Sequence, residues 1–141
     1  MRASQLIPVH QNTMNKIVSF RRGTRDKQRA YVWNKATHQT CIYVNWDGDI
    51  SRYNRPPSMP YTVYITEQRH IHVLRIINQL CDILDVDILV FDPFQSFQGQ
   101  PISPFFRAIA GLARKKDITV FLMLAEQAPI IQAEVYIDPR R

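Results

Sequence analysis

The sequence predicts an α/β (α+β) chain in which an N-terminal antiparallel β-meander precedes a βαβαβ unit, forming a single mixed sheet with helices packed on it. Three observations predict it. Residues 67–85 place Val73, Leu74, Ile76, Ile77, Leu80, Cys81, Ile83 and Leu84 at helical spacing. Ile88-Leu-Val-Phe91 is a continuous apolar run, as expected of a strand buried on both faces, and Asp92-Pro93 ends it. Asp47-Gly48 lies between two strand-like runs and is the dipeptide that a two-residue type I′ turn demands.

The elements follow in order. Residues 1–15 show neither period, and Pro8 argues against a helix interior, so they read as a basic N-terminal arm. Residues 16–141 read as one α/β domain, with a meander over 16–55, the βαβαβ unit over 61–124, and a last strand and tail over 125–141. Lys16–Phe20 is a short first strand, and 21–27 is a polar loop. The β-branched and aromatic runs Ala30–Trp33 and Cys41–Trp46 form a hairpin, and a second hairpin through Asp47-Gly48 runs to Asn54. Three prolines within 56–60 end the meander. Tyr61–Thr66 is a strand, and Thr66 is the expected N-cap of the helix over 67–85. After Ile88–Phe91, Ser103-Pro104 gives a cap followed by proline at the first helical position, and that helix runs to Lys116. Ile118–Leu124 and Ala133–Ile137 are the remaining strands, with right-handed crossovers between parallel neighbours.

Charge narrows the partners. Eighteen Lys and Arg against twelve Asp and Glu leave a net charge of +6. Residues 1–40 hold eight of the basic side chains and only one acid, Asp26, whereas 61–100 hold two basic residues against five acids. A cationic N-terminal end favours nucleic acid, single-stranded DNA or RNA, or an acidic protein surface. If the meander forms, Arg29, Tyr31, Trp33 and Lys35 share one face, and Tyr43 opposes Arg52 across the next pair. With Arg21, Arg22, Arg25 and Lys27 these make an expected nucleic-acid platform, on which bases stack while cations meet phosphates. The same aromatics would alternatively be a core face packed on a helix.

Cys41 and Cys81 lie in apolar runs, which indicates two buried free thiols and a reducing compartment. No apolar stretch reaches membrane-spanning length and the N-terminus lacks a secretory h-region, so a soluble, intracellular protein without a membrane partner is expected. The acid-free first 25 residues are also the composition of an organellar transit peptide. A homo-oligomer or a larger complex is compatible with this composition.

In an open α/β sheet ligands bind beyond the carboxyl ends of the strands, which makes Asp92 the leading candidate for chemistry. The alternative is an Asp capping the turn before Pro93. Asp87-Ile-Leu-Val-Phe-Asp92, then Ala110-Gly-Leu-Ala-Arg-Lys-Lys116 and Ile118-Thr-Val-Phe-Leu-Met-Leu124, resemble the Walker B strand and its successor in RecA-like ATPases. That family grips phosphate with a loop ending Gly-Lys-Ser/Thr, and none of Gly23, Gly48, Gly99 and Gly111 precedes a lysine. The resemblance therefore implies a degenerate RecA-like domain without ATPase activity, acting as a protein-interaction subunit.

Ile42-Tyr-Val-Asn-Trp-Asp-Gly48 and Ile88–Asp92 are also similar to the aspartate-bearing strands of the RNase H-like fold. That resemblance implies a metal-dependent nuclease in which Asp47 and Asp92 bind Mg²⁺. Its helix glutamate has no counterpart, since His72 stands near that position. His70-Ile-His72 resembles the His-hydrophobic-His pair of rolling-circle nucleases, yet on a helix the two rings diverge by about 200°. The leading expectation is a non-enzymatic nucleic-acid-binding or nucleoprotein-assembly module, accessory to replication, recombination or RNA handling, and needing no cofactor.

Overall fold

The computed structural model describes residues 17–20, 24–46, 61–94, 102–123 and 135–137. They form six strands and three helices: β1 (Ile17–Phe20), α1 (Arg25–Ala36), β2 (Cys41–Val44), β3 (Thr62–Ile65), α2 (His70–Ile83), β4 (Ile88–Phe91), α3 (Ile102–Lys116), β5 (Thr119–Leu122) and β6 (Val135–Ile137). The strands make one sheet in the order β3-β2-β4-β5-β1-β6, and every neighbouring pair is parallel. The expected N-terminal arm, the Asp47-Gly48 turn and the second hairpin lie outside the described residues.

The βαβαβ unit is present as β3-α2-β4-α3-β5, with Asp92 directly after β4. The antiparallel meander is not. β2 is bordered by β3 on one edge and β4 on the other, both parallel, so Cys41–Val44 has no edge left for a hairpin partner. Ala30–Trp33, expected as a strand, belongs to α1. Thr24 caps that helix, its hydroxyl accepting the Lys27 N–H, with Asp26 in the first turn and Lys35 in the last, each complementing the helix dipole. Gln28, Arg29, Val32 and Ala36 are the buried positions, at helical and not alternating spacing. These contacts override the strand preference of Tyr31-Val32-Trp33.

The crossover through α1 runs along the sheet from β1 to β2, and those through α2 and α3 run in the opposite direction. Connections of one hand running opposite ways must lie on opposite faces. The core divides accordingly. On one face Ile42, Val44, Leu89, Phe91, Val120 and Leu122 pack under α2 and α3, through Val73, Ile77, Phe105 and Ile109. On the other, Val18, Phe20, Tyr43, Val90, Phe121 and Met123 pack under α1 through Val32 and Ala36.

The α2 cap falls at Arg69, without a side-chain bond, and not at Thr66. Beyond α3, Asp117 takes a left-handed φ of 57°, and Ile118 N–H reaches back to the Ala113 carbonyl at 3.0 Å, a Schellman ending. Cys41 and Cys81 are buried free thiols. Among the described residues no helix is long and apolar enough to cross a membrane.

Candidate functional site at the carboxyl edge of the sheet

Asp92 is fully buried on the α1 face, because it follows Phe91, whose side chain takes the other face. Its backbone continues the sheet. Asp92 N–H donates to the Val44 carbonyl at 2.8 Å, and two residues later Phe94 N–H donates to the Met123 carbonyl at 2.7 Å. Asn45 Nδ2 donates to the Asp92 carbonyl at 3.1 Å, and the Asp92–Pro93 peptide is cis.

The carboxylate is held by α1 and β2. Arg25 Nε and Nη2 both donate to Oδ1, at 3.0 and 2.6 Å. Arg29, one helical turn on, donates from Nε to Oδ2 at 2.6 Å, and the Tyr43 hydroxyl donates to the same oxygen at 2.6 Å. An ionised carboxylate offers about four lone-pair sites. Four short, mostly charge-assisted bonds occupy them, so Asp92 coordinates nothing further without surrendering one.

Tyr43 extends the network. Its oxygen accepts the Trp33 Nε1–H at 3.2 Å, and Met123 Sδ lies 3.9 Å away. Burial pushes the Tyr43 hydroxyl well above its ordinary pKa, and the neighbouring Asp92 charge pushes it further in the same direction. Tyr43 is therefore a neutral phenol that donates to one partner and accepts from another, which suits a structural link.

The structure thus gathers Arg25, Arg29, Trp33, Tyr43 and Asp92, but as an interior cluster. Arg29 and Tyr43 are buried, and Arg25 keeps 24% of its side chain exposed. Tyr31 packs edge-on against Phe20 and Phe121, with Lys35 Nζ 5.5 Å from its ring centre. Lys27 is exposed. The expected platform of Arg29, Tyr31, Trp33 and Lys35 does not share one face, because α1 turns alternate residues apart. Arg21, Arg22, Asp47 and Arg52 lie outside the described residues. Asn45 and Met123 are site members that the sequence reading missed; their positions at the carboxyl ends of β2 and β5 were the available signal.

The histidines diverge as helical geometry requires. His70 is buried and stacks on Phe105 at 4.3 Å, while His72 turns toward Glu67, Nδ1 to Oε1 3.4 Å. Among the described residues no group of three or more His, Cys, Asp or Glu is arranged to hold a metal. The RNase H-like arrangement needs antiparallel strands between its two aspartates, and β2, β3 and β4 are parallel. A cavity of about 360 Å³ lies at the opposite end, between Lys35, Gln39, Asp87 and Thr119, and shares no residue with the Asp92 cluster. No family model and no characterised protein matches the chain.

Proposed function

We propose that this chain is a non-enzymatic nucleic-acid-binding or nucleoprotein-assembly module, built on a degenerate RecA-like scaffold in which an internal ion pair replaces the nucleotide's metal. P-loop enzymes hold Mg²⁺ between the hydroxyl at the start of the phosphate-loop helix and the Walker B aspartate. β1 and α1 supply a comparable strand and helix, and Asp92 ends an apolar strand as that aspartate does. The cation is instead the guanidinium of Arg25, in the first turn of α1. Saturation of the Asp92 carboxylate is the observation that carries the reading.

Two further features support it. Only three residues, 21–23, separate Phe20 from the cap Thr24, too few for an eight-residue phosphate loop, and no Gly-Lys pair is present. The Thr24 hydroxyl already accepts the Lys27 N–H, so it is engaged as a helix cap.

A polyanion partner is supported by the net charge of +6 and by exposed cations outside the Asp92 cluster. Arg75 on α2, and Arg107 and Lys115 on α3, are exposed and make no ion pair among the described residues. The α3 sequence contains no acid at all.

The test has two arms. In the first, ATP hydrolysis is measured with Mg²⁺, and no turnover above buffer is expected for the native chain or for Asp92→Asn. Hydrolysis abolished by that substitution refutes the reading. In the second, binding of fluorescent single-stranded DNA and RNA is titrated against salt. Affinity should fall steeply with salt, and Arg107→Glu with Lys115→Glu should lower both the affinity and the salt slope. Binding indifferent to salt removes the polyanion partner.

A further inference from the structure

We infer that the outer face of α3 is the seat of double-helical nucleic acid, held through its phosphates without readout of its bases. This rests on the polyanion partner proposed above, and names the form of that partner and where it docks. Phe105, Ile109 and Ala113 recur at helical spacing and fix α3 to the sheet. That setting turns Arg107, Gly111, Arg114 and Lys115 outward, and all four are exposed.

Cationic charge concentrates on this helix. α3 carries Arg107, Arg114, Lys115 and Lys116 and no acid. Lys116 leans to Asp82 at 3.7 Å. On α1, by contrast, Arg25 and Arg29 are engaged by Asp92, and Asp26 offsets part of the charge of Lys27 and Lys35. The cations in the last turn of α3 also complement the helix dipole. Arg107, in the second turn, answers no such need, and it makes no ion pair among the described residues.

Shape points the same way. Arg107 and Lys115 are separated by about 12 Å of helix axis. Between them Ala108 and Gly111 leave the surface low, and a Cβ at Gly111 would meet nothing within 4 Å. A polyanion can therefore lie against the helix with a cation on either side of it.

The form of the partner follows from what the face lacks. Single strands are gripped by stacking their bases on aromatic rings. On α3, Phe105 is buried and Phe106 packs on Phe94 at 6.0 Å. The exposed rings among the described residues, Tyr61 and Tyr64, sit on β3 at the sheet edge, with β2 between them and the β4-to-β5 crossover that α3 makes. What remains is attraction to phosphate, and it is strongest where phosphates are densest. A duplex carries one charge per about 1.7 Å of its axis. At the centre of the face Ala108 and Gly111 offer no donor or acceptor to read a base edge.

The experiment is fluorescence anisotropy of the full chain with a short labelled DNA duplex, a second duplex of unrelated sequence, and a single strand of the same length, each titrated from about 50 to 200 mM salt. The two duplexes should bind alike, and at least about tenfold more tightly than the single strand. Arg107→Gln with Lys115→Gln should weaken duplex binding about tenfold and lower the log-log salt slope by about two, one for each lost phosphate contact. Lys27→Gln with Lys35→Gln makes the same change in net charge on the opposite face of the sheet, and should cost no more than about twofold. Gly111→Glu sets a carboxylate in the seat and should weaken binding at least as much as the α3 pair. Glycine is the poorer helix former, so circular dichroism should show this variant folded. A single strand bound less than about tenfold more weakly, a preference above about tenfold between the duplexes, or an α1 pair as damaging as the α3 pair overturns the inference and leaves the polyanion reading standing. So does polyglutamate that displaces the duplex at equal charge. If neither duplex nor single strand binds at the lowest salt, that reading itself is refuted and the inference falls with it.

Discussion

Arg29 Nε lies 2.6 Å from Asp92 Oδ2 with both side chains buried, and this pair ties the first helix to the middle of the sheet. Removing one member of such a pair strands an uncompensated charge in the interior. Asp92→Asn should therefore destabilise the chain by about 3–5 kcal/mol, measured by urea denaturation. The double variant Arg29→Met with Asp92→Leu should recover part of that loss. A cost below about 1 kcal/mol for Asp92→Asn would contradict the saturated carboxylate on which the functional reading stands.

Tyr43→Phe deletes a donor to Asp92 and the acceptor of the Trp33 indole N–H. The expected loss is about 1–3 kcal/mol, since a part-buried N–H is left without its partner. The near-ultraviolet circular dichroism of Trp33 should change with it, while far-ultraviolet helix content stays constant.

The interior also fixes how stability responds to alkali. Burial pushes the Cys41 thiol from 9.0 up to about 12, and burial also raises Tyr43. The native state keeps these protons while the unfolded chain releases them near the ordinary values. Above about pH 9 the unfolded state binds fewer protons, so stability is complete below that point and falls as pH rises toward 12. The urea midpoint should hold between about pH 7 and 8.5 and then decline. Cys41→Ala should flatten the first part of that decline, between about pH 9 and 10. A midpoint that does not move by pH 11 would count against a buried, protonated Cys41.

Helical structure over 25–36 gives a fourth prediction. Thr24→Ala removes the cap oxygen and should cost about 1 kcal/mol. Ala30→Gly at an exposed interior position should cost about 1 kcal/mol. Both losses should appear as lowered ellipticity at 222 nm during partial unfolding, and an unchanged urea midpoint for both variants would argue against the helix.

On the other face, Phe105 contacts Trp46, His70, Phe91 and Phe94 at ring distances between 4.3 and 5.7 Å. Phe105→Ala opens a cavity at the centre of this cluster and should cost about 3–5 kcal/mol by urea denaturation. It should cost far more than Phe106→Ala, since Phe106 is only partly buried.

The second half of the fold was legible because its signals are strong and local. Ile88–Phe91 is apolar throughout, and the residues from Val73 to Leu84 repeat at helical spacing. α1 was not legible, since its inward face carries Gln28 and Arg29 among the apolar positions, which erases the helical hydrophobic period and leaves Tyr31-Val32-Trp33 to suggest a strand. Thr24 with Asp26 was the surviving helix signal. Asp92 could be located from the end of its strand, but its partners could not, because Arg25 and Arg29 are 67 and 63 residues away along the chain. One buried and one half-buried cation on one carboxylate have no periodic signature.

β1 lies between β5 and β6, so the earliest of the described strands to be synthesised has the two latest of them as its neighbours. Ile17 pairs with Val120, and Val18 with Val135. Until the region around residue 120 has left the exit tunnel, Ile17–Phe20 has no sheet to join, and α1 has no Asp92 to grip until residue 92 has emerged. Such wide sequence separations are characteristic of slow closure. The nascent chain must carry an apolar strand and a basic helix uncommitted until those partners emerge, an interval in which chaperone engagement or capture by another polypeptide competes with completion of the sheet.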